Sequence, residues 1–210
     1  MNKNTNFQKL NIVNIAEMRE EVLNYFKIHS DEVIPDKLNG EWTVRPSIDN
    51  FPKIREFVCT RSKVPINDTN ISFLSPGSSL DIHIDGLRGS NNKSVIANQF
   101  VMVVPIANYE DTINYWYTND NISDENEIIN EYEFVVNSTP YKFKRSSVNP
   151  NFKIVPSVST CIDTVAFIRT NVYHSVVNNG KLPRLAVRIR FKEDRWYNDL
   201  DHIFEYKDLL

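Results

Sequence analysis

From residue 70 to residue 191 the chain is a succession of short runs rich in valine, isoleucine, threonine and aromatic side chains, each closed by a turn signal. This pattern restricts the fold more than any other feature, because strands of this length bury a face each and must close on one another. The runs fall at 71–74, 80–85, 95–106, 113–117, 132–136, 141–144, 152–155, 164–168, 172–177 and 185–191. Ser75-Pro76-Gly77-Ser78 reads as a turn, Gly86, Gly89, Asn91 and Asn92 as a loop, and 120–130 as an exposed acidic connection. Asn137-Ser138-Thr139-Pro140 reads as the bend of a hairpin. Ahead of these runs, Ile15, Met18, Val22, Leu23 and Phe26 recur at helical spacing and predict an amphipathic helix over 15–26. The stretch 29–45 reads as irregular; Asn50 reads as the N-cap of a short helix with Pro52 in its first turn and Ile54, Phe57 and Val58 inside. The tail, with Trp196, Leu200, Ile203 and Phe204, reads as a short helix folding back. The expected architecture is mainly β with flanking helices, a double-stranded β-helix of the jelly-roll or cupin-like kind. One domain is expected over 1–210, with 1–69 as helical support, 70–191 as the β core and 192–210 as a C-terminal tail.

A chain of 210 residues can bury one sizeable core, and a formal net charge of -3 argues against a broad electrostatic grip on nucleic acid or an anionic membrane. The start, Met1-Asn2-Lys3-Asn4-Thr5-Asn6, lacks the apolar centre of a signal peptide, and no later stretch is apolar enough to span a bilayer. The expectation is a cytoplasmic protein acting on a small-molecule or peptidyl substrate, with no membrane partner and with nucleic acid disfavoured. Cys59 and Cys161 stand in no metal-knuckle spacing and are expected to be buried free thiols.

Within 80–85, alternation puts Leu80, Ile82 and Ile84 on one face and Asp81, His83 and Asp85 on the other. His83 and Asp85 make two thirds of the 2-His-1-carboxylate facial triad of non-haem Fe(II) oxygenases. Of the remaining histidines, His29, His174 and His202, only His174 stands in a strand-like context, which makes it the candidate third ligand. On the last run, Leu185, Val187, Ile189 and Phe191 form an apolar face opposite Arg184, Ala186, Arg188 and Arg190. If the apolar face packs on helices, Arg184 looks into the same lumen, where a planar guanidinium suits a carboxylate. The plainer alternatives are a hydrogen-bonded His83–Asp85 pair in a polar interior, surface positions for His29 and His202, and core rather than substrate-mouth roles for Tyr115, Trp116 and Tyr117.

Leu74-Ser75-Pro76-Gly77 leading to Leu80, His83-x-Asp85, Val104-Pro105, and His174-Ser175-Val176-x-Asn178 with Arg184 ten positions after the histidine form one pattern. It resembles the aspartyl/asparaginyl β-hydroxylase family of 2-oxoglutarate- and Fe(II)-dependent oxygenases over roughly 70–191. The resemblance implies a double-stranded β-helix, Fe(II) held by His83 and His174, and Arg184 gripping the distal carboxylate of 2-oxoglutarate, with Arg188 on the same face as the alternative. It further implies O2 as co-substrate, release of succinate and CO2, and hydroxylation of a small-molecule, amino-acid or peptidyl substrate. Two departures stand out. Asp85 occupies a position that is commonly glycine in the hydroxylases acting on aspartyl side chains, so their substrate is a poor expectation here. An arginine usual on the next strand is replaced by Val95-Ile96-Ala97-Asn98-Gln99, which leaves Asn98, Gln99 or Arg88 to hold the inner end of the cosubstrate. Two rival readings are a cupin-type metalloenzyme that does not use 2-oxoglutarate and a non-enzymatic β-sandwich binding module.

Overall fold

The computed structural model describes residues 6–29, 41–88, 100–118, 122, 127–136, 139–192 and 200–209. In chain order the elements are β1 (Phe7–Lys9), α1 (Ile15–Ile28), β2 (Glu41–Val44), α2 (Pro52–Arg61), β3 (Ile66–Leu74), β4 (His83–Arg88), β5 (Phe100–Ala107) and β6 (Thr112–Trp116). They continue with β7 (Glu127–Val136), β8 (Thr139–Val148), β9 (Val158–Thr160), β10 (Ala166–Arg169), β11 (His174–Asn178), β12 (Arg184–Phe191) and α3 (Leu200–Ile203).

The strands form two six-stranded sheets, ordered β1-β10-β5-β12-β3-β2 and β7-β8-β4-β11-β6-β9. Four antiparallel pairings are nested: β3 with β12, β4 with β11, β5 with β10, and β6 with β9. A long two-stranded ribbon with these pairs, coiled so that β12 meets β5 and β11 meets β6, is a jelly roll. The hairpin of β7 and β8 extends the second sheet beside β4, and β1 and β2 extend the first at its two ends.

The first sheet is covered on both sides, which is why β5 reads as a nearly continuous apolar run, while β12 alternates because its lumen face carries arginines. Its outer face carries Ile71, Phe73, Met102, Val104, Phe167, Leu185, Val187 and Ile189, packed under Met18 and Val22 of α1, Ile54 and Val58 of α2 and Ile203 of α3. Arg19 fastens α1 to the sheet, its Nε donating to the carbonyl of Pro105 at 2.9 Å. Glu21 of α1 accepts the backbone N–H groups of Lys53 and Ile54 at 2.8 Å each, so a carboxylate from one helix satisfies two donors in the first turn of the next. Inside the roll, Val101, Val103, Trp116, Ile162, Ala166, Ile168 and Ala186 make a second cluster between the sheets. The expected apolar face of β12 therefore packs on helices, and its Arg184, Arg188 and Arg190 lie on the lumen side.

Several boundaries differ from the sequence expectation for identifiable reasons. The short helix begins at Pro52, and the capping side chain belongs to Ser47, which accepts from Asp49 N in a preceding turn at Ile48–Asn50. Gly86 lies inside β4 and not in a loop, where the pairing with β8 shifts register between Ile84 and Arg88, as strand glycines at bulges do. The run at 152–155 forms no strand, with Val155 79% exposed; the edge position beside β6 goes instead to Val158–Thr160. The connection at 120–130 gives way to β7 at Glu127, and 41–44 within the supposedly irregular stretch pairs with β3. The turn at 75–78 is as read: Gly77 has φ of 66°, and Ser78 N donates to Ser75 O at 3.1 Å. Both cysteines are free, but Cys59 is exposed and Cys161 only half-buried. Among the described residues no helix is long and apolar enough to cross a membrane.

Candidate metal centre

His83 opens β4, His174 opens β11, and the two are directly opposite each other in the antiparallel pair. Opposed residues share a face, so both imidazoles project into the lumen; Asp85, two residues on from His83, does the same. The Asp85 backbone N–H donates to Thr170 O at 3.0 Å, which ties this end of β4 to the β10–β11 connection. The ring centroids of His83 and His174 are 4.4 Å apart, and one ligating atom from each of His83, Asp85 and His174 falls within 4.8 Å of the others. His83 and His174 are almost fully buried, while the Asp85 side chain retains 20% exposure.

The hydrogen bonds define which nitrogen faces the centre. His83 Nδ1 lies 2.6 Å from the carbonyl of Asp81 and His174 Nδ1 lies 2.9 Å from the carbonyl of Val172, the same two-residues-back arrangement twice. A carbonyl only accepts, so each Nδ1 carries a proton and each ring turns its Nε2 inward. His83 Nε2 then meets Asp85 Oδ1 at 3.1 Å, lone pair against lone pair. With one proton on each ring and the Asp85 carboxyl ionised, two arrangements relieve this: a second proton on His83, or a cation between the atoms. A buried imidazolium packed against a second histidine is costly, whereas a divalent ion accepts all three donors at once. The donor set therefore fits a metal ion, and the backbone carbonyls supply the outer hydrogen bonds that orient ligating histidines. Burial pushes the Asp85 carboxyl up, but with positive charge at the imidazoles a hydrogen bond from His83 and the fields of His83, His174 and Arg188 hold it well below the ordinary carboxylate range, so the site favours an ionised carboxylate facing positive charge.

Trp116 lies opposite His174 on its other side and forms the apolar floor of the site. Its indole donates to Arg169 O at 3.0 Å, and its ring stacks on Phe7 at 5.4 Å. Arg188, on β12, is within charge range of Asp85, and its Nε donates to Asn70 Oδ1 at 3.0 Å. Arg184 is 7% exposed and donates to Ser72 Oγ at 3.3 Å; it stands four residues, about 13 Å of strand, from Arg188. Asn98 and Gln99 lie outside the described residues, and of Arg88 only the backbone, at the end of β4, is described. Tyr117 and Tyr115 pack on the outer face of the second sheet, away from the lumen.

Three lumen residues were not singled out from the sequence as site members. Asn70 and Asp68 lie on β3 directly opposite Arg188 and Arg190, and Ser72 lies opposite Ala186. The signal was the period-two spacing of Asp68, Asn70 and Ser72 beside Ile71 and Phe73, readable only once the partner strand is known.

No protein-family model matches the sequence, and a search of curated proteins returns no match. Among solved structures, the chain is similar to a variant of the oxalate decarboxylase of Bacillus subtilis, with 13% identity, a TM-score of 0.34, and coverage of 79% of this chain and 29% of that one. The same enzyme at pH 4.6 matches with 13% identity, a TM-score of 0.34 and coverage of 79% and 28%. The chain thus spans under a third of the length of the structures it matches.

Proposed function

We propose that the protein is a mononuclear metalloenzyme built on a jelly roll, with one divalent transition-metal ion held by His83, Asp85 and His174. The observation that carries this reading is the convergence of two Nε2 lone pairs and a carboxylate on one point, each imidazole locked by a backbone carbonyl at its Nδ1. When bound, the ion would supply Lewis acidity and, as Fe(II), access to O2 chemistry, and a set of three protein ligands would leave it room for substrate. The chain's own contribution is geometric: Trp116 and the valines of the lumen exclude water, and the strand pairing of His83 with His174 fixes the distance between ligands. Anaerobic titration with Fe(II) or Mn(II) tests it. One ion per chain is expected, with affinity reduced at least about 100-fold by His83→Ala or His174→Ala. Absence of stoichiometric binding would overturn the reading.

A narrower reading, a 2-oxoglutarate-dependent oxygenase of the kind the sequence pattern resembles, is favoured by the burial of Arg184 on the lumen face beside Ser72. A guanidinium in this setting suits bidentate capture of the far carboxylate of a dicarboxylic acid. Succinate formed from 2-oxoglutarate in the presence of Fe(II) supports it. Arg184→Met is expected to weaken 2-oxoglutarate binding about 10- to 100-fold while leaving Fe(II) bound. Stoichiometric metal binding without any 2-oxoglutarate consumption would leave the broader metalloenzyme reading and remove this one.

A further inference from the structure

Beside the metal ligands the lumen opens toward an edge rich in guanidinium groups. Arg188 and Arg190 are two residues apart on the lumen face of β12, about 7 Å along the strand. Arg190 Nη1 donates to both carboxylate oxygens of Asp68, at 3.3 and 3.2 Å, and Arg45 reaches the same carboxylate at 3.8 Å. One carboxylate is therefore shared by two arginines. Exposure rises outward along this row, from 15% for the Arg190 side chain through 28% for Asp68 to 54% for Arg45, which describes a mouth and not a closed core. The buried Arg190 Nε has no hydrogen-bond partner among the described residues, a deficit a folded protein rarely leaves in place. Register places this row at the level of the metal ligands: Ile189 pairs with Met102 and Val101 with Ile168, two residues before the Thr170 carbonyl that anchors Asp85. Burial and the like charge of Arg188 push the Arg190 guanidinium below its ordinary value, and the fields of Asp85 and Asp68 oppose them.

We propose that Arg190, flanked by Arg188 and sharing Asp68 with Arg45, is an anion subsite of the metal centre, and that the substrate carries an oxyanion group which docks there. The orphaned Nε and the adjacent Nη form the side of the guanidinium that donates two parallel hydrogen bonds to a carboxylate, phosphate or sulfate. Asp68 holds the arginine in place until the anion arrives. The inference rests on the metal-centre reading, since it assigns the substrate group that lies beside the metal.

Sulfate and acetate serve as probes, titrated calorimetrically into the full chain at constant ionic strength, with and without one equivalent of Mn(II). Metal occupancy is followed separately by electron paramagnetic resonance. Saturable 1:1 binding of at least one anion is expected; sulfate preferred over acetate points to a tetrahedral group, and the reverse to a carboxylate. Arg190→Gln is expected to weaken binding at least tenfold while Mn(II) affinity changes less than threefold. Asp68→Asn, which frees the guanidinium, is expected to strengthen anion binding several-fold, a gain that misfolding cannot imitate. No saturable binding of either anion, or equal binding in wild type and Arg190→Gln, overturns the subsite even where Mn(II) is held. Anion binding that depends on Arg190 but comes without Mn(II) binding instead removes the metal reading and with it the subsite's assignment to a metal centre.

Discussion

At the scale of single residues, the feature that decides the chemistry is the direction of two imidazole rings. A histidine whose Nδ1 donates to a carbonyl has only its Nε2 to offer, and His83 and His174 are both set in this way by the carbonyl two residues earlier. The carboxylate of Asp85 completes a set of three side chains whose ligating atoms converge, a donor set that suits a cation. Replacing the carboxylate by its neutral isostere keeps the shape and removes the charge, so Asp85→Asn is expected to lower divalent-metal affinity by at least about tenfold, measured by competition with a chelating dye. The sequence disclosed His83 and Asp85 through their spacing on one strand, and His174 through its strand-like neighbours. It did not disclose the carbonyl locks, which depend on backbone conformation at Asp81 and Val172, or the place of Asp68 and Asn70, which depends on strand register.

Among the elements, the crossover from β11 to β12 is held by one buried side chain. Asn178 Nδ2 donates to the carbonyls of Leu74, Ser75 and Leu182 at 3.0, 3.3 and 2.9 Å, and its Oδ1 accepts from Gly180 N at 2.9 Å. These bonds join the β3–β4 turn to the β11–β12 turn, the two legs of the ribbon that carry His83 and His174. A Cβ on Gly180 would stand 3.0 Å from Asn178 Oδ1 and 3.3 Å from Asp111 Cβ, so a side chain there would push the Asn178 amide by a few tenths of an ångström. Asn178→Ala removes a bond from each of the three carbonyls and from Gly180 N, leaving Ser75 O only its bond from Ser78 N, and a loss of at least about 2 kcal/mol is expected in denaturant unfolding. The asparagine belongs to the motif that suggested an oxygenase, yet its contacts are with the turns and not with the ligand set. Strand existence was legible where an apolar run had a partner waiting, as at 71–74 and 185–191, although β3 begins earlier, at Ile66; it misled at 152–155, where propensity met no partner.

Across the whole molecule, one sheet separates two interiors, an apolar one under the helices and a mixed one that holds the ligands. Phe167, fully buried on the helix side, touches the rings of Phe100, Phe191, Phe204 and Tyr206 and so joins the C-terminal segment to the sheet. Phe167→Ala is expected to cost about 3–5 kcal/mol in unfolding free energy, without disturbing the convergence of His83, Asp85 and His174 on the other side of the sheet. The first strand is held at the rim by Lys9, whose Nζ lies 2.7 Å from Asp163 Oδ1. The Lys9 hydrogen bond, opposed by partial burial, keeps the Asp163 carboxyl below the ordinary range. A carboxylate with a depressed folded pKa adds stability above its unfolded pKa and loses it as pH falls through the folded one, so Asp163→Asn is expected to flatten the acid limb of stability below about pH 4. The alternation of sheets was foreseeable from many short strands at even spacing, whereas the nesting of pairs had to come from the three-dimensional register. The centre itself is tested most directly by X-ray absorption on the Fe(II)-loaded protein. Two imidazoles in a shell of nitrogen and oxygen ligands are expected, one being lost in His174→Ala; an ion with no imidazole ligand in the wild type would contradict the account.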